Sequence, residues 1–194
     1  MKIRKNSRQT WIQRYMAKVE KINRFNVKSG DCFFFDNNVW MILFSPISGV
    51  NRRQQDAYGT LLKQIQSSRA TIYINSLIVS EYMNRSLRLA HSIWADNERR
   101  AGNCSVEYKK YFRDTYAFCE AQRAACAEMR DILSIAERKP DDFNAVNLEE
   151  IMNTQAMDFN DAYYTSYCSL NNLILVSDDK DLQRTVRDIT ILTA

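Results

Sequence analysis

The chain has 194 residues, 45% of them hydrophobic and 26% charged, with four glycines and two prolines; this ordinary one-domain composition excludes a disordered, collagenous or low-complexity chain. Its longest uninterrupted hydrophobic run is the six residues 39–44, against roughly 20 needed to cross a bilayer, so no membrane partner is expected. The net charge of +4 conceals an asymmetry: residues 1–30 carry nine Lys or Arg against one acid, Glu20, and are +8, which leaves the remainder at −4.

In chain order, the first segment holds Trp11, Ile12, Tyr15, Met16, Val19, Ile22 and Phe25 at three- and four-residue spacings with basic residues between them. That pattern predicts an amphipathic N-terminal helix. Its apolar stripe is expected to pack on the body, ahead of a membrane-surface or transit-peptide role. Val27 to Gly30 reads as a link, giving a basic helix and link over 1–30 and a second unit over 31–194.

Beyond the link, short apolar runs alternate with helical periodicity. The runs 33–35, 71–74, 173–176 and 189–192 are aromatic, aliphatic and β-branched with little polar alternation, as suits strands buried on both faces. Helical stretches are predicted around 53–67 and over a long region, 76–137, broken near Gly102 and ended by Lys139-Pro140-Asp141-Asp142. Alternation of this kind implies an α/β fold of three layers, with a central, mostly parallel sheet covered by helices. The apolar content of the long helices exceeds what one sheet face covers, which points to a homodimer.

Ligands of open parallel sheets sit beyond the carboxyl ends of the strands, and acids fall there. The run 33–35 leads straight into Asp36, and 71–74 leads into a helix with Glu81 in its second turn. The run 173–176 precedes Asp178, Asp179 and Asp181, while Asp158 and Asp161 open a helix just upstream. Gathered carboxylates repel unless a cation neutralises them. Hard oxygen ligands without a His or Cys cluster favour Mg²⁺ or Mn²⁺, ions that hydrolyse phosphodiesters. Each acid alone has a simpler reading: Asp158 and Asp161 as helix caps, 178–181 as a solvated turn.

These segments resemble the motifs of the PIN (PilT N-terminus) domain nucleases. The carriers are 33–40 (Phe-Phe-Phe-Asp-Asn-Asn-Val-Trp), 74–82 with Ser76 and Glu81, 158–162 with Asp161-Ala162, and 175–182 with Ser177, Asp179 and Asp181. The resemblance covers about 31–194. It implies a PIN-like nuclease domain in which Asp36, Glu81, Asp161 and Asp179 form the catalytic and metal-binding set for Mg²⁺ or Mn²⁺. Asn37, Asn38, Asp158, Ser177 and Asp181 would support that set, Asn37 standing where the family usually has a hydroxyl residue. The expected activity is metal-dependent endoribonuclease cleavage of RNA, in the manner of VapC-type toxins held by a protein antitoxin. The rival expectation is a non-catalytic PIN-like module that binds RNA or a protein. The N-terminal helix has no counterpart in the family.

Other conspicuous residues read more plainly. Five cysteines, odd in number and without a Cys-x-x-Cys pair, indicate reduced thiols and a cytoplasmic location. Cys119 and Cys126, near Phe112, Tyr116, Ala127 and Ile135 in register, read as core or dimer seam. The single histidine, His91, reads as surface or interhelical and leaves no Ser-His-Asp or Cys-His pair. Tyr163, Tyr164 and Tyr167 are either packed or available to stack on bases. Arg99-Arg100 and Lys109-Lys110 read as solvated.

Overall fold

The computed structural model describes residues 17–47, 49, 51–141, 143–153 and 157–194. Phe33, Phe34 and Phe35 have no solvent exposure, as consecutive side chains of a strand have when both faces of its sheet are covered. They form β2, Cys32–Phe35. β3, Thr71–Ile74, and β5, Ile174–Val176, lie on either side of it, and all pairings are parallel. With β1 (Lys18–Lys21), β4 (Glu137–Arg138) and β6 (Thr190–Thr193), the sheet has six strands in the order β1-β6-β5-β2-β3-β4. The result is a three-layer α/β fold with helices flanking a parallel sheet.

Most of the helices begin at a capping side chain. α1, Asn37–Phe44, starts directly from β2. α2, Arg52–Ser68, is capped by Asn51, whose side chain accepts from Gln54 N, and it ends at Arg69 in the left-handed conformation. Asn75 Oδ1 accepts from Ile78 N at 3.0 Å to open α3, Ser76–Arg100. Thr115 does the same for Phe118 N at 3.1 Å at the head of α4, Tyr116–Ile135. After the short α5, Leu148–Met152, Asp158 Oδ1 accepts from Asp161 N at 2.9 Å and caps α6, Phe159–Asn171. These caps satisfy amide donors that a helix N-terminus otherwise leaves open.

The long helical region breaks at Gly102, whose φ of +88° favours glycine. The connector 101–115 carries a 3-10 turn, Phe112–Asp114, before α4. The expected continuation of helix to 137 is corrected: Glu137–Arg138 leave α4 and pair with β3 as the sheet's last strand.

The N-terminal amphipathic helix is also corrected within the described residues. Lys18–Lys21 is a strand, paired in parallel with β6 from Lys18 opposite Thr190 to Lys21 opposite Thr193, and Ile22–Arg24 is a 3-10 turn. The open edge of β6 offers backbone partners at fixed spacing, as in Lys18 N to Ile189 O at 2.8 Å. That pairing replaces the intrahelical ladder. Ile22 enters the core while Val19 is 44% exposed. Trp11, Ile12, Tyr15 and Met16 lie outside the described residues.

α4 turns Ala125, Met129 and Ile132 inward. Tyr116 and Cys119 are consequently exposed and Cys126 half-buried, so this stripe is not core. All five cysteines are free. Among the described residues no helix is long and apolar enough to cross a membrane.

Candidate functional site

The parallel sheet carries the ends of β2, β3 and β5 to one edge. Asp36 follows β2 and is held there by its backbone N–H, which donates to Val176 O at 3.1 Å. Only 4% exposed, it accepts at Oδ2 from Ser177 Oγ at 2.9 Å and from Asn38 Nδ2 at 3.2 Å. Burial pushes its carboxyl up to about 6; the Ser177 bond opposes the rise and the nearby Glu81 charge adds to it.

Glu81, on α3, has both oxygens engaged. Oε1 accepts from Asn37 Nδ2 at 3.3 Å. Oε2 accepts from Tyr164 Oη at 2.5 Å and from Asn160 Nδ2 at 3.5 Å. Burial and the Glu81 carboxylate hold the Tyr164 hydroxyl far above its ordinary range.

Asp161 lies in the first turn of α6. Its carboxyl is pushed up to about 7, by burial first and then by the charges of Asp158, Asp36, Asp179 and Glu81. Asp179, after β5, donates its N–H to Ser177 Oγ at 3.0 Å, and its Oδ1 accepts from Asp181 N at 2.8 Å. Asp158 serves as the cap of α6, and the Asp181 carboxylate pairs with Arg184 at 3.2 Å. The four acids singled out by sequence therefore share an electrostatic neighbourhood.

They do not form a metal site. Among the described residues no group of three or more His, Cys, Asp or Glu side chains is placed to hold an ion. This overturns the expectation of Mg²⁺ or Mn²⁺ on Asp36, Glu81, Asp161 and Asp179. The metal-dependent endoribonuclease, its phosphodiester hydrolysis and the toxin role built on it fall with that site. The physical reason lies in the donors. Ser177 and Asn38 donate to Asp36 Oδ2, and Asn37, Asn160 and Tyr164 donate to both oxygens of Glu81, so protein donors instead of an ion engage these carboxylates.

Beside the cluster is a cleft of about 640 Å³ whose walls include Asn38, Gln54, Tyr58, Arg85, Arg88 and Asp179. Asp178 stiffens one wall: its Oδ2 accepts from Tyr58 Oη at 2.6 Å and Gln54 Nε2 at 2.8 Å, and its Oδ1 from Ala194 N at 2.8 Å. Arg85 and Arg88, three residues apart on α3, are exposed. Among the described residues neither is in an ion pair. Arg88 also lines a second cavity of about 410 Å³ with Asn84, His91, Tyr108, Lys109 and Arg113.

Sequence reasoning missed these arginines. The signal was present, because Arg85 and Arg88 follow Glu81 by four and seven residues and so share its helix face. It also left open the role of Tyr163, Tyr164 and Tyr167, which are 4%, 1% and 1% exposed. They are packed, and base stacking on them is closed. His91 is half-buried between α3 and the 101–115 connector, with Nε2 at 2.7 Å from Val106 O. No family model, curated protein or solved structure matches this chain.

Proposed function

We propose that this protein is a non-catalytic RNA-binding module of PIN-like architecture, with the cleft at the carboxyl edge of the sheet as its binding site. The observation that carries the reading is the pair Arg85 and Arg88, two guanidinium groups without ion-pair partners among the described residues, on the wall of a cleft lined elsewhere by polar side chains such as Asn38 and Gln54, by the apolar Ile42 and Leu89 and by the acids Asp178 and Asp179. Guanidinium groups suit phosphate because their planar fork matches its oxygens and their charge displaces counterions. Asn38 and Gln54, whose amide nitrogens already donate to Asp36 and Asp178, keep carbonyl oxygens of the kind that accept from sugars and base edges.

Residues 31–194 carry a net negative charge, so attraction of a polyanion has to be local. The acid cluster beside the cleft would repel phosphate if fully ionised. Burial lessens that charge without removing it, since it raises Asp36 to about 6 and Asp161 to about 7, and the Glu81 charge is bonded by Tyr164, Asn37 and Asn160. The repulsion is thus smallest on the acid side of neutrality, where Asp36 and Asp161 hold protons. Filter binding of a single-stranded RNA in the presence of EDTA tests the reading. Retention of the RNA on the protein is expected, and its absence at near-physiological salt refutes it.

A further inference from the structure

We propose that the second cavity, under the 101–115 connector, is a subsite for the nucleotide adjoining the one held in the cleft, and that it restricts this protein to unpaired strands. The inference rests on the RNA-binding reading of the cleft and concerns a different set of residues.

Arg88 lines both cavities. A phosphate above it would therefore join a nucleotide in the cleft to one in the second cavity. That cavity holds two further cations, Lys109 and Arg113, both exposed and neither in an ion pair among the described residues. It also holds aromatic surface. Tyr108 is half-buried, with the Arg113 guanidinium 5.7 Å from its ring centre. A cation and a π-face in the same place are what a base with its phosphate requires.

The shelf is fixed from behind. The His91 ring meets Tyr108 edge-on at 5.2 Å, and the fully buried Phe112 lies 5.6 Å from the same ring. His91 is itself positioned by Val106: because the carbonyl oxygen only accepts, Nε2 must be the donor. The connector's ends are tied by Asn103 Nδ2 to Glu98 at 2.8 Å and by Thr115 Oγ1 to Phe112 O at 2.7 Å. An aromatic ring held in this way can stack only on a base whose face is free. A base inside a duplex has none to offer, which makes the shelf selective for single strands.

The experiment uses the full chain and labelled oligoadenylates of increasing length, read by fluorescence anisotropy, with a duplex of the same length for comparison. For wild type, affinity should rise sharply once the strand is long enough to span both cavities, and the duplex should bind more weakly than the longest single strand. Tyr108→Ala should lose roughly tenfold on the longer strands and nothing on the shortest, while Tyr108→Phe retains the gain. Arg85→Ala, in the cleft, should weaken all lengths alike. Arg113→Gln, at an exposed position, removes the cation over the Tyr108 ring while keeping every aromatic side chain, and gives an independent reading if Tyr108→Ala does not fold. The subsite is overturned, with RNA binding left standing, if Tyr108→Ala or Arg113→Gln keeps wild-type affinity at every length, or if the duplex binds as tightly as the strand. If no strand binds wild type, the reading of the cleft fails and the subsite with it.

Discussion

Replacing Asp36 by Asn should make the protein more stable at alkaline pH and remove a large part of its pH dependence. In the folded protein this carboxyl is almost fully buried and titrates at about 6, against an ordinary value of 3.8. The folded state therefore keeps a proton that the unfolded chain has released between about pH 4 and 6. Stability accordingly falls as pH rises through that window. A shift of about two units corresponds to about 3 kcal/mol of stability lost once Asp36 is ionised. Asn fits the same space, and its Oδ1 can still accept from Ser177 and Asn38. Asp36 is also one of the charges that raise Asp161, so the substitution lowers that pKa and flattens the profile further. Urea unfolding at a series of pH values from about 4 to 8 reads the difference directly. Wild type should lose about 2–3 kcal/mol over the range relative to Asp36→Asn, with the two proteins converging at the acid end. Parallel profiles, or a variant less stable than wild type at pH 8, would refute the claim that burial of the ionised carboxylate is a standing cost.

Tyr164→Phe removes the shortest hydrogen bond to Glu81. It should destabilise the fold by about 1.5–3 kcal/mol, the range for bonds to charged groups, and towards the lower end because Asn37 and Asn160 remain; chemical denaturation measures it, and an unchanged midpoint would count against a role for Tyr164 in holding Glu81. RNA affinity should increase as pH falls from about 8 to 5.5, because Asp36 and Asp161 take up protons near 6 and 7 and withdraw negative charge from beside the cleft. Asp161→Asn should bind RNA more tightly at pH 8 and show a shallower pH profile in anisotropy titrations; a profile as steep as wild type's contradicts the assignment.

Much of the fold was legible because local chemistry decided it. Three consecutive phenylalanines with no polar alternation suit a strand covered on both faces, and Asp158 announced the start of α6 as a capping residue does. Strand ends were equally readable, and with them the place where Asp36, Glu81, Asp161 and Asp179 lie. What escaped was set by distant partners. Lys18–Lys21 became a strand through the free edge of β6, some 170 residues away in sequence. Glu137–Arg138 joined the sheet by the same kind of non-local pairing. The metal expectation failed for a related reason. Sequence counts acids, but it does not reveal that Tyr164, Asn160 and Asn37 converge on Glu81, or that Ser177 and Asn38 occupy Asp36. The aromatic cluster around His91 is likewise tertiary, assembled from α3 and the connector.

The salt dependence of RNA binding by wild type and by the Arg85→Ala/Arg88→Ala double variant, measured by anisotropy with EDTA present, tests the central claim most directly. If the two guanidinium groups neutralise phosphates in the cleft, wild type binds a single strand, and the variant binds less tightly with a slope of log affinity against log salt shallower by about 1.4; the RNA stays full-length when Mg²⁺ replaces EDTA. An unchanged slope in the double variant, or RNA cut by wild type in Mg²⁺, would contradict the account.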